Sequence, residues 1–188
     1  MPEIRALIFD HDGTLVDTMP AHFDAWQATL APLGLTLDVD RFYQMAGIPT
    51  ETIVRMLAEE TGVALDPVEL TRAKEDAFER LLHGVRPIGP VVEIARAHRG
   101  KLPMAIATGG LHRIVNSLRP RFEFYDWFET TVAAEDTQRH KPQPDVFLEA
   151  ARRLGVAPEH CLVYEDAALG FEAARRAGMA WVDVRRLL

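Results

Sequence analysis

The sequence contains a single cysteine, Cys161, in 188 residues, so the chain cannot form an internal disulfide. Cys161 begins a short apolar run ending at Tyr164, which is typical of a buried strand. No apolar run approaches transmembrane length, and the first one, Ala6 to Phe9, is too short for a signal peptide. We therefore expect a cytoplasmic protein with a reduced thiol.

Basic residues are also too few to suggest nucleic-acid binding. Lys and Arg total 21 against 28 Asp and Glu, which gives a formal charge of −7, and no segment concentrates the basic residues on one predicted face. Apolar residues make up 48% of the chain, which is enough to bury a core. We expect a monomer without nucleic-acid or membrane partners, although the sequence does not determine the oligomeric state.

Short apolar runs alternate with segments of helical periodicity along most of the chain. This alternation predicts an α/β fold, with a doubly wound, Rossmann-like parallel sheet and crossover helices. The predicted strands are Ile4 to Phe9, Leu102 to Ala107, Thr131 to Ala133, Cys161 to Tyr164 and Ala180 to Val184.

The segment 17–85 interrupts this alternation, because it carries helical patterns and no convincing strand. We interpret it as an inserted α-helical cap on a catalytic core formed by residues 1–16 and 86–188. Proline and glycine at 18–20 and 86–90 indicate linkers at its two edges. An insertion at this point lies over the carboxyl end of the first strand, where open α/β sheets bind ligands.

The densest chemical signal directly follows the first predicted strand and reads Asp10-His11-Asp12-Gly13-Thr14. Asp10 could attack phosphorus as a nucleophile, while Asp12 protonates the leaving alkoxide and later accepts a proton from water. Asp-x-Asp-Gly is also common in turns, so the motif alone leaves both interpretations open.

A second acidic pair, Glu165-Asp166, follows the predicted strand that begins at Cys161. Parallel strands end at the same edge of a sheet, so these two carboxylates can converge with Asp10 and Asp12. Such a cluster requires a hard cation such as Mg²⁺, because like charges would otherwise raise one another's pKa values. The alternative is that the pair only favours the N-terminus of the next helix.

Two further segments could hold phosphate. Lys141 precedes a predicted helix, so an anion could lie between its ammonium group and the backbone N–H groups. Thr108 and Gly109 end another predicted strand and could bind phosphate oxygens. A solvated loop lysine and a plain turn are the respective alternatives.

These four elements, in this order and each at a strand end, resemble the haloacid dehalogenase superfamily of phosphatases and phosphomutases over the whole chain. The resemblance implies that Asp10 is the nucleophile and Asp12 the acid and base. It also implies a Mg²⁺ bound by the Asp10 side chain, the backbone carbonyl of Asp12 and Asp166, with Glu165 acting directly or through water.

The stretch around His22 and Trp26 is similar to the β-phosphoglucomutase branch of that superfamily, and the chain length is closest to bacterial fructose-1-phosphate and 6-phosphogluconate phosphatases. The resemblance implies substrate contacts in the cap from His22, Gly47 and Lys74. An exposed helical histidine is the alternative for His22. Thr50 occupies the position of an arginine that holds a second phosphate in the mutases, which favours a phosphatase over a mutase.

Two histidines depart from the pattern of this branch. His11 replaces an apolar residue and could tune substrate choice at the mouth of the site, and His112 lies where the mutases carry an asparagine. The predicted function is hydrolysis of a small sugar phosphate through an aspartyl phosphate on Asp10. A phosphomutase and a non-catalytic domain that binds a phosphate ligand remain as alternatives.

Overall fold

A computed structural model describes residues 3–188. This part of the chain contains seven strands and eight α-helices. The strands are β1 (Ala6–Phe9), β2 (Val16–Asp17), β3 (Arg86–Pro87), β4 (Met104–Ala107), β5 (Thr130–Val132), β6 (Cys161–Glu165) and β7 (Ala180–Asp183). The helices are α1 (Met19–Leu30), α2 (Val39–Gln44), α3 (Thr50–Thr61), α4 (Pro67–Leu81), α5 (Gly89–His98), α6 (His112–Leu118), α7 (Asp145–Leu154) and α8 (Ala168–Arg176).

The described residues form two compact units. One comprises the chain up to Asp17 together with Arg86–Leu188, and the other comprises Thr18–Val85. Strands β2 and β3 pair antiparallel, with Val16 opposite Pro87, so the chain leaves and re-enters the first unit at adjacent points. No helix within residues 3–188 is both long enough and apolar enough to cross a bilayer.

The first unit is built on a five-stranded parallel sheet in the order β5-β4-β1-β6-β7. The chain moves outward from β1 through β4 to β5 and then crosses to β6 on the other side of β1. Ligands of doubly wound sheets bind at the carboxyl ends of the strands where the winding reverses. The sheet confirms the predicted α/β fold and places β1 at its centre.

Burial explains why β1 reads as an uninterrupted apolar run. All four of its residues are buried, as expected for a central parallel strand that is covered on both faces. On one face, Ala6 and Ile8 pack in a core with Phe147 of α7 and Ala173 of α8. The free thiol of Cys161 lies in the same buried cluster, in agreement with the prediction for that strand.

The second unit is entirely helical. Its core includes Trp26 and Leu30 of α1 and Val54 and Leu57 of α3. Helix α4 begins at Pro67, and the Asp66 side chain accepts hydrogen bonds from the backbone N–H groups of Val68 and Glu69. An acidic N-cap followed by proline in the first turn is a strong helix-start signal.

Candidate active site

Three neighbouring strands end beside one another at the carboxyl edge of the sheet. Asp10 directly follows β1, Thr108 directly follows β4, and Glu165 is the last residue of β6. All three residues are at least 95% buried. The adjacency of β4, β1 and β6 therefore collects polar side chains from distant parts of the sequence around the end of the central strand.

Lys141 lies between two of these strand ends. Its Nζ donates to Asp10 Oδ1 at 2.6 Å and to Glu165 Oε2 at 2.7 Å. The side chains of all three residues are less than a tenth exposed. The other oxygen of Glu165, Oε1, accepts from the backbone N–H groups of Asp166 and Ala167 at 3.1 and 3.0 Å. Glu165 is thereby fixed from both sides and orients Lys141 towards Asp10.

Asp166 is held by the loop that follows β1. Thr14 Oγ1 donates to Asp166 Oδ1 at 2.9 Å, and Thr14 is fully buried. Gly13 has a φ of 79°, and a Cβ at that position would lie only 2.4 Å from Asp166 Oδ2. Glycine is therefore required at residue 13 both for the backbone conformation and for the close approach of Asp166.

Burial and neighbouring charges shift the pKa values of the acidic groups at this site. Burial, followed by the charge of Glu165, raises the pKa of Asp10 well above its ordinary value, although Lys141 opposes this. Burial and the charge of Glu165 also raise the pKa of Asp166 to about 7. Burial disfavours the charged form of Lys141, but Asp10 and Glu165 outweigh it and raise the pKa of Lys141 above its ordinary value.

The same groups fit a divalent cation. Asp10, Glu165 and Asp166 each offer one carboxylate oxygen, and these oxygens lie within 4.8 Å of one another. Only Asp10 and Glu165 pair with the buried Lys141 ammonium, and carboxylate oxygens of this kind are the ligands that Mg²⁺ prefers. A cation would favour the charged forms of Asp10 and Asp166, against the burial and the charge of Glu165 that raise their pKa values.

Asp12 and the segment after β4 lie together. Thr108 Oγ1 donates to Asp12 Oδ2 at 3.3 Å and accepts from the N–H of Gly110 at 2.8 Å. The Asp12 side chain is 22% exposed, whereas that of Asp10 is 7% exposed. Two carboxyl groups two residues apart thus occupy different environments, one buried beside an ammonium and one partly open to water. Gly109 is exposed in the same loop.

In the helical unit, two of the three predicted substrate residues lie in contact. Lys74 is 2% exposed, and its Nζ lies 2.7 Å from His22 Nδ1 and 3.0 Å from Glu75 Oε1. The His22 ring stacks on Phe78 at 3.7 Å between centroids, so His22 is not the exposed helical histidine that was the alternative. Gly47 lies in the connection between α2 and α3 with a φ of 82°.

The prediction that His11 lies at the mouth of the site is wrong. His11 is fully buried, and its Nε2 lies 2.8 Å from the hydroxyl of Tyr125. The imidazole can be buried in the first unit because the phenol supplies the polar partner that a buried histidine needs. His112, the other departure from the branch, lies at the start of α6, with Nε2 2.7 Å from Asp136 Oδ2.

Several site residues carry no signal that the sequence alone makes visible. Tyr125 lies in a short aromatic 3₁₀ helix, and Gly170, whose lack of a side chain leaves room for the Glu165 carboxylate, lies inside α8, where the pattern suggests only helix. Thr14 and Gly13 belong to the recognised motif, yet their contacts with Asp166 span more than 150 positions of sequence. An alignment of related sequences is the signal that could have found the pairing of residues so far apart.

Comparison with known proteins agrees with this geometry. A family model described as haloacid dehalogenase-like hydrolase matches residues 4–178. The chain is 42% identical over 182 residues to fructose-1-phosphate phosphatase YqaB of Escherichia coli. This alignment covers 96% of this chain and 96% of the relative. It is 29% identical over 192 residues to β-phosphoglucomutase of Bacillus subtilis, covering 96% of this chain and 83% of the relative.

A solved structure gives the same result. The D10N mutant of CbbY from Rhodobacter sphaeroides, in complex with xylulose-(1,5)bisphosphate, superimposes with a TM-score of 0.83 at 25% identity and covers 95% of this chain and 84% of the other. The resemblance inferred from the motifs is confirmed, and the hydrolase match and the phosphatase relative confirm the prediction of a phosphatase. The family match spans most of the sequence, and the chain belongs to the haloacid dehalogenase-like hydrolase family.

Proposed function

We propose that this chain hydrolyses a small sugar phosphate, of the fructose-1-phosphate or 6-phosphogluconate type, in a Mg²⁺-dependent reaction through an aspartyl phosphate on Asp10. The observation that carries the proposal is the position of Asp10 at the end of the central strand, 2.6 Å from the Lys141 ammonium and two residues before Asp12. Phosphoryl transfer needs a nucleophile, a positive charge and an acid. Asp10, the Lys141 ammonium and Asp12 can supply them.

In the first step, an Asp10 carboxylate oxygen attacks phosphorus and the bond between phosphorus and the sugar oxygen breaks. Asp12 gives its proton to the departing oxygen, so that an alcohol leaves rather than an alkoxide. Lys141 and Thr108 stabilise the negative charge on the transferring group. The product of this step is an acyl phosphate on Asp10 together with the free sugar.

In the second step, water attacks the phosphorus of the aspartyl phosphate. Asp12, now a carboxylate, accepts a proton from that water, and the bond between phosphorus and the Asp10 oxygen breaks. Inorganic phosphate leaves, and both aspartates return to their starting protonation states. The partial exposure of Asp12 supports this assignment, because its carboxyl group must exchange protons with water.

Asp10, Asp166 and the backbone carbonyl of Asp12 would hold the Mg²⁺, with Glu165 contributing directly or through water. When bound, the cation would offset the charge of the acidic groups and of the phosphoryl oxygens. The raised pKa values of Asp10 and Asp166 support this assignment, because Asp10 must be ionised to act as a nucleophile.

The substrate class is supported by the 42% identity to a fructose-1-phosphate phosphatase. The helical unit supports a phosphatase over a mutase. Thr50 donates to Glu75 Oε1 at 2.7 Å, and Glu75 pairs with the buried ammonium of Lys74. This ammonium is already neutralised by a carboxylate, so a second phosphate would have to compete for it. We propose that His22, Gly47 and Lys74 contact sugar hydroxyls.

The test is a panel of phosphate esters with and without Mg²⁺. Fructose-1-phosphate, 6-phosphogluconate and β-glucose-1-phosphate with a bisphosphate activator are supplied in turn, and both inorganic phosphate and isomerised sugar phosphate are measured. We expect release of phosphate from at least one sugar phosphate, only with Mg²⁺. Isomerisation without net phosphate release would identify a mutase, and binding of an ester without turnover would identify a non-catalytic domain.

Two variants locate the chemistry. We expect Asp10→Asn to abolish phosphate release while the circular dichroism spectrum and the melting temperature stay close to those of the parent protein. Glu159→Gln is the matched control, because Glu159 is an exposed acid just before β6, at the amino end of that strand. Turnover by the Asp10 variant would remove Asp10 from the role of nucleophile.

We also propose a reducing compartment such as the cytoplasm as the site of action. The only cysteine is buried and free, and burial raises the pKa of its thiol to about 11. A chain whose one cysteine is a free thiol, not part of an internal disulfide, fits a reducing compartment.

A further inference from the structure

The side chains of His11 and Tyr125 lie in the core next to Asp12, which is both the acid and the base of the proposed reaction. His11 Nε2 lies 2.8 Å from the Tyr125 hydroxyl, and His11 Nδ1 lies 3.3 Å from Asp12 Oδ2. Both His11 and Tyr125 are fully buried. Tyr125 in the core therefore contacts His11, and His11 in turn lies next to the partly exposed Asp12 carboxylate.

Tyr125 is well anchored at the far end of this line. Its ring stacks on Phe124 at 4.6 Å between centroids, and the Arg119 guanidinium lies 5.9 Å from the centre of the Tyr125 ring. Burial, together with the charge of Asp12, raises the pKa of the phenol far above its ordinary value, so Tyr125 keeps its proton. A buried hydroxyl of this kind requires an acceptor, and His11 Nε2 is within hydrogen-bond distance.

The phenol proton decides which nitrogen of a neutral imidazole carries hydrogen. If Tyr125 donates to Nε2, the proton of His11 must be on Nδ1. Within residues 3–188, Nδ1 has no partner that meets hydrogen-bond geometry, and Asp12 Oδ2 lies 3.3 Å from it. Hydrogen bonds of catalytic groups are often long without substrate and shorten in the reacting complex.

We propose that Tyr125 and His11 are positioning residues for the acid and base, in which Tyr125 donates to His11 Nε2 and the Nδ1–H of His11 then orients the Asp12 carboxyl group. The inference rests on the role of Asp12 in the proposed function. Thr108, at the end of β4, donates its hydroxyl to the same Asp12 oxygen, Oδ2, at 3.3 Å. Thr108 and His11 thus orient the Asp12 carboxyl group, while its exposed side remains open to substrate.

A leaving-group comparison separates positioning of the acid from general structural support. Departure of a sugar alkoxide needs a proton from Asp12, whereas p-nitrophenolate leaves readily without one. For Tyr125→Phe, we expect kcat/KM to fall about tenfold with fructose-1-phosphate and less than about twofold with p-nitrophenyl phosphate. Equal losses with the two esters, or no loss with either, would overturn the inference.

Two further comparisons guard against indirect effects. Tyr164→Phe also removes a phenol hydroxyl, from a buried tyrosine of β6, and should leave both kcat/KM values unchanged. His11→Asn keeps an amide donor near the position of Nδ1, so it should retain more activity with the sugar phosphate than His11→Leu. Equal activity of the two His11 variants would contradict a donor role for that nitrogen.

The tautomer of His11 can also be measured by NMR in the absence of turnover. In protein with ¹⁵N-labelled histidine, the His11 signals are assigned by their loss in His11→Asn, and the tautomer follows from the nitrogen shifts. We expect the Nδ1–H tautomer in the parent protein and its loss in Tyr125→Phe. An Nε2–H tautomer in the parent protein would refute the inference. If no ester were hydrolysed, the proposed function would fail while this measurement still decided the arrangement of His11.

Discussion

Gly170 approaches Glu165 so closely that a Cβ on residue 170 would lie 2.0 Å from Glu165 Cδ. Gly170 is on α8, and Glu165 is the last residue of β6. The absence of a side chain at residue 170 therefore lets the Glu165 carboxylate turn across the start of α8. In that position Glu165 reaches Lys141 Nζ and the N–H groups of Asp166 and Ala167.

The first prediction follows from this contact. Gly170→Ala should lower the free energy of unfolding by about 1–3 kcal/mol and sharply reduce phosphatase activity, because the added methyl displaces Glu165 and with it Lys141. Gly84→Ala is the control, since a Cβ at that exposed glycine of a 3₁₀ turn meets no atom within 4 Å and should be neutral or slightly stabilising. Urea denaturation and initial rates measure both effects. Similar behaviour of the two variants would show that Glu165 tolerates the methyl group.

The second prediction concerns the hydrogen bond from Thr14 to Asp166. Thr14→Val keeps the shape of the side chain but removes its donor, so Asp166 is no longer held in place. We expect the Mg²⁺ concentration for half-maximal activity to rise about tenfold, as for other partners that orient a metal ligand. Thr14→Ser retains the hydroxyl and should restore much of the affinity. An unchanged Mg²⁺ dependence in the valine variant would separate Thr14 from the cation site.

The sheet could be predicted because its strands are short, fully buried and separated by helical segments. The predicted run from Ile4 to Phe9 overlaps β1, and the run from Cys161 to Tyr164 misses only the last residue of β6. No pattern in the sequence predicts helix α2, since its six residues are too few to show a helical period. The short pairing of β2 with β3 depends on a contact between positions about seventy residues apart, and no local pattern indicates it.

For the site, motif order indicates which residues meet but not how each one is held. That Asp10, Thr108 and Glu165 belong near one edge follows from strand ends in a parallel sheet. That Lys141 bridges Asp10 and Glu165 depends on side-chain packing, which spacing does not encode. The burial of His11 could not be predicted either, because its partner, Tyr125, is 114 positions away.

The third prediction tests the buried ammonium between two acids. Lys141→Met leaves Asp10 and Glu165 without their shared counter-charge, so it should lower the free energy of unfolding by about 3 kcal/mol or more in metal-free protein near neutral pH. Phosphatase activity should be lost. Lys101→Met, at an exposed lysine, is the control and should change neither property by much. Equal stability of the two variants in urea would contradict a structural role for the bridge.

The fourth prediction concerns stability against pH without metal. The pKa of Asp166 is about 7 in the folded protein against an ordinary value of 3.8. Between these values the folded state keeps a proton that the unfolded state releases, so the contribution of Asp166 is fully present below pH 3.8 and is lost as pH rises through 7. We therefore expect the free energy of unfolding in EDTA to fall from pH 5 to pH 8.

Asp166→Asn isolates this contribution, because its amide does not ionise while Asp10 and the histidines remain. In EDTA the variant should become progressively more stable than the parent protein as pH rises from 5 to 8. With saturating Mg²⁺ the order should reverse at pH 8, since cation binding to the ionised parent adds stability, about 2.7 kcal/mol at one hundred times the dissociation constant. A difference between the two proteins that depended on neither pH nor Mg²⁺ would show that Asp166 stays ionised in the metal-free fold and lies outside the cation site.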